Sequence, residues 1–361
     1  MVEPTTDLLV TTVSSDSLAR LSVIIPAYKR DDLLERCLVS LVKACGGRLP
    51  ETIVVDDAQQ SSTERLIATQ FANLGIRLVQ TPRNRGFAGA VNFAYPFCTR
   101  DFVVLVNSDI VFEEEPFSQL VDFFDDHPDA AIAQGKVVLR NDDPEQYGRI
   151  DSCGYFLTPL GVLKNPTWLK GPEDPCCEQP RKVFFAYGAF FVFRNGLHNF
   201  VGGELFHDFF HMYHEEADLC HRTWLAGREV WYVPTPPVYH AHGATATSTL
   251  APGTIMSHGL ANALFSYETC FDILGRLFVL PLFRLVCREL AIVSAIKGNR
   301  AFLYAWRQAR AVTRMRKQDV RKWRQIIHGF RRISDWRLFK TIMLPCSAKN
   351  MMQALRGLPL D

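Results

Sequence analysis

Over the first 140 residues the chain alternates between two hydrophobic rhythms. Residues 21–27 (LSVIIPA) are apolar almost throughout, as a strand buried on both faces requires, and they run into Asp31-Asp32, acids suited to a helix start. Apolar residues then fall at Leu33, Leu34, Cys37, Leu38, Leu41, Val42 and Cys45, the spacing of one helix face, before Gly46-Gly47 closes the segment. The unit repeats as a strand over 52–55, a helix over 63–73, a strand over 76–80, a helix over 88–98 and a strand over 102–106. Apolar strands alternating with helices predict a parallel, doubly wound α/β sheet, in which ligands bind at the carboxyl ends of the strands.

Past residue 140 the rhythm changes. Gly, Pro and aromatic residues cluster through 147–180, the run 183–193 (VFFAYGAFFVF) reads as one more core strand, and a short polar block follows at 207–222. Residues 229–233 are strand-like again, ahead of a Pro-rich loop, and from 256 the chain reads as helical almost to its end. The expected organisation is an N-terminal extension over 1–20, an α/β domain over 21–250 and a helical, basic region over 256–361.

The composition, 48% hydrophobic and 22% charged in 361 residues, is that of a globular protein. The most membrane-like stretch, 273–296, is cut by Arg276, Arg284, Arg288 and Glu289, so no transmembrane helix is expected. Glu3 and Asp7 stand where a secretion signal would be positive, and the ten cysteines show no C-x-x-C pair. Both features suit a cytoplasmic protein with reduced thiols.

Candidate chemistry collects after the strands. Asp56-Asp57 follows an apolar run, where a carboxylate can accept from a base or a ribose or can cap a turn. Asn107-Ser108-Asp109 ends another strand, and Asp109 offers a hard oxygen ligand for Mg²⁺ or Mn²⁺ beside a diphosphate, or is a turn residue. Glu215, Glu216 and Asp218 crowd one short segment. Crowding raises a carboxyl towards the range of a general base, but acids also favour a helix's first turn, and Asp218 with Arg222 has the spacing of a surface pair. His240 and His242, two apart, can share a metal or phosphate or simply be hydrogen-bonded in a loop. The Gly-rich segment 84–89 (NRGFAG) matches neither the dinucleotide nor the P-loop pattern, so a dehydrogenase or P-loop enzyme is not expected.

Taken in order, SVIIPAYKR, IVVDD, NRGFAGAVNFA, VLVNSD, GAFFVFR, EEADLCHRTWLAGREVWYVP and VYHAHGAT span about residues 20–245. The series resembles the inverting GT-A glycosyltransferases of family 2, most of all the rhamnosyltransferase-like branch that builds bacterial cell-surface polysaccharides. That resemblance implies a GT-A (Rossmann-like) α/β fold, a mostly parallel sheet flanked by helices, with a helical C-terminal extension. It implies nucleotide binding by Pro26, Ala27, Tyr28, Arg30, Asp56, Asp57, Asn84, Gly86, Asn92, Asn107 and Ser108. Asp109 matches the second acid of the metal motif D-x-D, with Asn107 in the first position, and His240 or His242 falls where the family places a metal- or diphosphate-contacting His. Glu215-Glu216 matches a Glu-Asp pair whose second member is the base, so Glu216 is the expected base and Glu215 its reserve. Asp218 and Arg222 match the D-L-x-x-R that follows, the acid towards the acceptor and the Arg towards the helix or a phosphate.

The net charge of +2 is a cancellation. Arg300 to Arg337 holds twelve Arg and Lys against Asp319 and Asp335, a net +10, which leaves −8 for the rest. Aromatic and aliphatic residues interleave with these cations, as on an interfacial helix at an anionic leaflet, so a peripheral position on the inner face of the cell membrane is expected. The same helices could instead pack on the catalytic domain or form a homodimer. No nucleic-acid module accompanies them. The implied partners are a nucleotide-diphospho-sugar such as dTDP-rhamnose and a saccharide or lipid-linked saccharide acceptor. The alternatives are galactofuranose, glucose or N-acetylglucosamine from a UDP donor, or an inactive nucleotide-binding scaffold.

Overall fold

The computed structural model describes residues 15–242 and 252–343. Residues 1–14 of the expected 1–20 extension, the Gly243–Thr245 end of the VYHAHGAT motif and residues 344–361 lie outside that range. A short α1 (Ser15–Ala19) leads into β1 (Leu21–Ala27), α2 (Asp31–Ala44), β2 (Glu51–Asp56), α3 (Ser61–Gln70), β3 (Arg77–Gln80), α4 (Gly86–Ala94) and β4 (Phe102–Val106). The apolar runs form the strands because both faces are covered: Leu21, Val23, Ile24 and Ile25 have no exposed surface. β5 (Ile110–Phe112), α5 (Phe117–Asp126), β6 (Ala130–Gln134), β7 (Val137–Leu139) and β8 (Ile150–Ser152) follow. Next come the small hairpin β9 (Phe156–Leu157) and β10 (Leu163–Lys164), then β11 (Arg181–Lys182), β12 (Phe190–Arg194), α6 (Glu215–Leu225), β13 (Glu229–Tyr232) and β14 (Val238–His240).

The main sheet has the order β11-β13-β6-β12-β4-β1-β2-β3. β4, β1, β2 and β3 are parallel, and the register Ala27↔Asp56 brings the carboxyl ends of β1 and β2 level. The sheet is mostly parallel, as expected, with two antiparallel strands: β12 runs antiparallel between β4 and β6, and β11 is antiparallel to β13. The apolar run 183–193 is also not one strand. It turns at Tyr187, whose carbonyl accepts from the Phe190 amide at 3.3 Å, and only Phe190–Arg194 joins the sheet there. Continuous hydrophobicity recorded burial on both sides of the turn, and Gly188 supplied the break.

A second sheet, β5-β14-β7-β8, adjoins the first. β14 is antiparallel to β5 with His240 opposite Ile110, so His240 comes to rest beside Asp109. Five helices complete the described chain: α7 (Pro252–Cys270), α8 (Leu280–Ile296), α9 (Ala301–Met315), α10 (Lys317–Phe330) and α11 (Asp335–Ile342). One face of this region is core. Leu264, Phe265, Trp306, Trp323, Ile327 and Leu338 belong to the same buried cluster as Ile53 and Leu219 of the α/β body. Among the described residues no helix is long and apolar enough to cross a membrane.

Candidate active site

The carboxyl ends of β1 and β4 open on a cavity of about 350 Å³. Pro26, Ala27 and Tyr28 line it from the end of β1, and Asn107, Ser108 and Asp109 from the end of β4. Asp57, Asn84 and Gly86 close one side. Asp57 is buried and works as an anchor: its carboxylate accepts from the amides of Arg85 (2.9 Å) and Gly86 (2.8 Å) and from Thr81 Oγ1 (2.6 Å), which pins the start of α4 to the strand end. Asp56 does not reach the cavity. Its oxygens accept from Ala58 N, Gln60 N and Gln80 Nε2 at 2.9, 2.7 and 3.1 Å, so of the two readings open for it the turn cap is the one observed.

Asn92 and Arg30 are likewise not among the lining residues. Asn92 clamps the 206–208 loop to α4, donating to Phe206 O (2.7 Å) and Asp208 (2.9 Å). Arg30 pairs with Asp32 at 2.7 Å at the start of α2. Gly86 sits at φ +69°, and a Cβ there would stand 2.2 Å from the His211 carbonyl oxygen. Gly86→Ala should therefore cost roughly 2–3 kcal/mol of stability and weaken nucleotide binding. Thermal unfolding and a nucleotide titration check this, and an unchanged Tm would contradict it.

Four side chains meet where the two sheets join. His240, buried, lies with Nε2 3.3 Å from Asp109 and Nδ1 2.6 Å from Asp151 on β8. His242 Nδ1 is 3.4 Å from the other Asp151 oxygen and 3.4 Å from the Tyr187 hydroxyl. Burial alone would lower the His240 imidazolium, but the Asp109 and Asp151 carboxylates outweigh it and push it to about 10. Burial pushes Asp109 the other way, and His240 more than offsets it, holding the carboxyl below its ordinary value. Ligand atoms of Asp151, His240 and His242 lie within 4.8 Å of one another, and one buried Asp151 oxygen has no hydrogen-bond partner among the described residues. Carboxylate and imidazole donors gathered this way fit a Mn²⁺ or Mg²⁺ ion, with His240 able to ligate only once the cation displaces the proton that Asp109 and Asp151 hold on it.

Opposite stands the start of α6. Tyr213 (φ 64°) and His214 (φ 71°) both occupy the left-handed region, strain of the kind that collects at functional turns. Asn262 of α7 holds that turn, donating to the Met212 and Tyr213 carbonyls at 3.1 and 2.8 Å. The turn delivers Glu215 and Glu216 to the cavity wall. Burial pushes the Glu216 carboxyl up to about 7. Burial and the neighbouring Glu216 raise Glu215 well above its ordinary value. A Cβ at Gly188 would stand 3.0 Å from a Glu216 carboxyl oxygen, so the glycine of the 187–189 turn is what leaves that carboxyl room.

Asp218 and Arg222 face away from the cavity. Both are buried: Arg222 Nε donates to Asp218 at 2.7 Å, its other nitrogens donate to the Val201, Glu204 and Leu205 carbonyls, and His207 Nε2 lies 3.2 Å from Asp218. The surface spacing of this pair thus conceals a buried strut rather than an acceptor or phosphate contact. Asp151, Asn262, Tyr187, Lys29 and His211 escaped the sequence reading. Tyr187 and Gly188 were hidden inside an apolar run, and Asp151 and Asn262 lie in segments with no strand-end signature.

Comparisons with known proteins place this geometry. The chain is 27% identical over 150 residues to the amylovoran biosynthesis glycosyltransferase AmsE of Erwinia amylovora, covering 40% of this chain and 56% of that one. It is 28% identical over 231 residues to the pre-mycofactocin glycosyltransferase of Mycobacterium tuberculosis, covering 63% of this chain and 44% of that one. The chain therefore spans about half the length of these curated relatives. A solved structure of GalNAc-T7 with UDP, GalNAc and Mn²⁺ shares the fold, with a TM-score of 0.53 and 14% identity over 76% of this chain and 51% of that one. The family model for glycosyl transferase family 2 matches residues 22–200, and the fold is GT-A.

Proposed function

We propose that the chain is an inverting glycosyltransferase that moves a hexose, L-rhamnose in the first instance, from a nucleotide-diphosphate donor to a hydroxyl of a saccharide or lipid-linked saccharide in bacterial cell-surface polysaccharide synthesis. The observation that carries this reading is the half-buried Glu216, raised to about 7, facing the same cavity as Asp109 and His240. Asp57 and Gly86 shape the nucleotide side, and Asn107, Ser108 and Asp109 the diphosphate side. Asp109, His240, Asp151 and His242 would hold the cation. A bound Mn²⁺ or Mg²⁺ supplies neutralisation of the charge that builds on the departing diphosphate.

The protein's own part is proton transfer and orientation. An acceptor hydroxyl placed beside Glu216 passes its proton to that carboxylate as its oxygen bonds to the anomeric carbon. The bond from that carbon to the diphosphate oxygen breaks with its electron pair leaving on the nucleotide. One displacement inverts the anomeric configuration. The basic helical region holds the enzyme at the anionic inner face of the membrane, where a lipid-linked acceptor resides.

Chelation tests the cation set. Excess EDTA should cut turnover roughly 10²-fold or more, and added Mn²⁺ or Mg²⁺ should restore it. Full turnover in chelator would contradict the assignment. Measured against a panel of dTDP- and UDP-sugars, donor hydrolysis identifies the sugar. Nucleotide binding with no turnover of any of them would leave a scaffold.

A further inference from the structure

A larger cavity, about 810 Å³, lies between α7, α8, α9 and α10. Its walls are cationic. Arg310 and Arg314 stand four apart on α9, and Lys317 and Arg321 four apart on α10. None of these four pairs with a carboxylate among the described residues. Arg284 and Arg324 share Glu268, the one acid lining the cavity, Arg324 at 2.6 Å. Like charges four apart destabilise a helix, and two such columns facing one groove create a strongly positive field that an anion relieves.

The groove continues into an apolar row through Leu285, which lines it. Phe278, Leu282, Leu285, Ile292 and Ile296 recur at the spacing of one helix face, and all are exposed, Phe278 to 62% and Ile296 to 80%. Arg288 and Glu289, paired with each other at 2.7 Å, interrupt the row between Leu285 and Ile292, and the large exposed apolar side chains on either side of that pair mark a contact surface. Beside unpaired arginines, that surface is matched to a layer with negative charge above and hydrocarbon below.

We propose that the groove binds the phosphate headgroups of anionic membrane lipids while the row from Phe278 to Ile296 enters the acyl boundary. This rests on the membrane reading above and gives it a site. α7 joins that site to the chemistry: Asn262 holds the strained turn before Glu215, and Leu264 and Glu268, up to six residues or roughly 9 Å further along the same helix, line the groove. A docked headgroup therefore fixes the orientation of the catalytic cavity relative to the bilayer.

The test is flotation of the full chain with phosphatidylcholine vesicles, alone or with phosphatidylglycerol. Wild type should bind only the anionic vesicles. The groove triple Arg310→Gln/Arg314→Gln/Arg321→Gln should bind about 100-fold more weakly. Removing the same charge elsewhere on these helices, Arg300→Gln/Arg307→Gln/Lys322→Gln, should cost far less. Equal losses in the two triples would reduce the effect to overall charge and overturn the site. A groove-dependent rise in Tm with inorganic phosphate and no vesicle binding would assign the groove to a soluble anion. A dimer broken by Phe278→Ser, again with no vesicle binding, would assign the row to a second copy. Donor hydrolysis, assayed in parallel, should be unchanged in both triples, so its absence from wild type would count against the proposed reaction and leave the vesicle result standing.

Discussion

Glutamine in place of Glu216 should leave nucleotide binding intact and cut turnover by roughly 10²- to 10⁴-fold. The same substitution should stabilise the protein at high pH. Burial raises this carboxyl from an ordinary 4.5 to about 7, so the folded protein holds the proton more tightly than the unfolded chain. The stability contributed by that proton is complete below about pH 4.5 and drains away as pH rises through about 7, beyond which the ionised form costs up to about 3 kcal/mol. Glu216→Gln should therefore raise Tm at pH 8 and change it little at pH 5. Loss of turnover together with a pH-dependent gain in Tm distinguishes a buried base from a merely structural carboxylate. Near-normal turnover would move the base to Glu215.

Methionine in place of Arg222 should have the opposite signature. Burial alone would raise Asp218, but Arg222 and His207 outweigh it and hold the carboxylate far below its ordinary range. Removing the guanidinium strands that charge inside the protein and frees three backbone carbonyls, of Val201, Glu204 and Leu205, from their donor. A cost of about 3–5 kcal/mol is expected, read as a lowered midpoint in denaturant. Turnover per folded molecule should stay close to wild type, because neither side chain touches the cavity. A stable variant with a raised KM for donor would instead put Arg222 at the nucleotide.

The parallel half of the fold was legible in the sequence because hydrophobic period reports burial directly. The run at 21–27 became β1 and the acids at 31–32 began α2. Period could not report strand direction, so the antiparallel β12 and the turn inside 183–193 went unread. In the site, residues directly after strands were found, since the sheet itself carries them to one edge. Asp109 and His240 meet because β5 and β14 pair. Asp151 and Asn262 arrive from distant segments through tertiary packing that leaves no local trace. Asp218 and Arg222 were found but their surroundings were not, since four-residue spacing is the same for an exposed pair and for a buried strut.

If a carboxyl raised by burial takes the acceptor's proton, the pH dependence of kcat/KM with saturating cation must carry its titration. Among the described residues, Glu215, Tyr155, Tyr187, Tyr213 and Cys220 are the titratable groups that share electrostatic interactions with Glu216, and burial raises all five. The base must be ionised to act, so kcat/KM should climb as pH passes through about 7 and then level off, and the residual rate of Glu216→Gln should lack that rise. A wild-type profile already flat from pH 5 upward, or an unchanged rise in Glu216→Gln, would contradict the account.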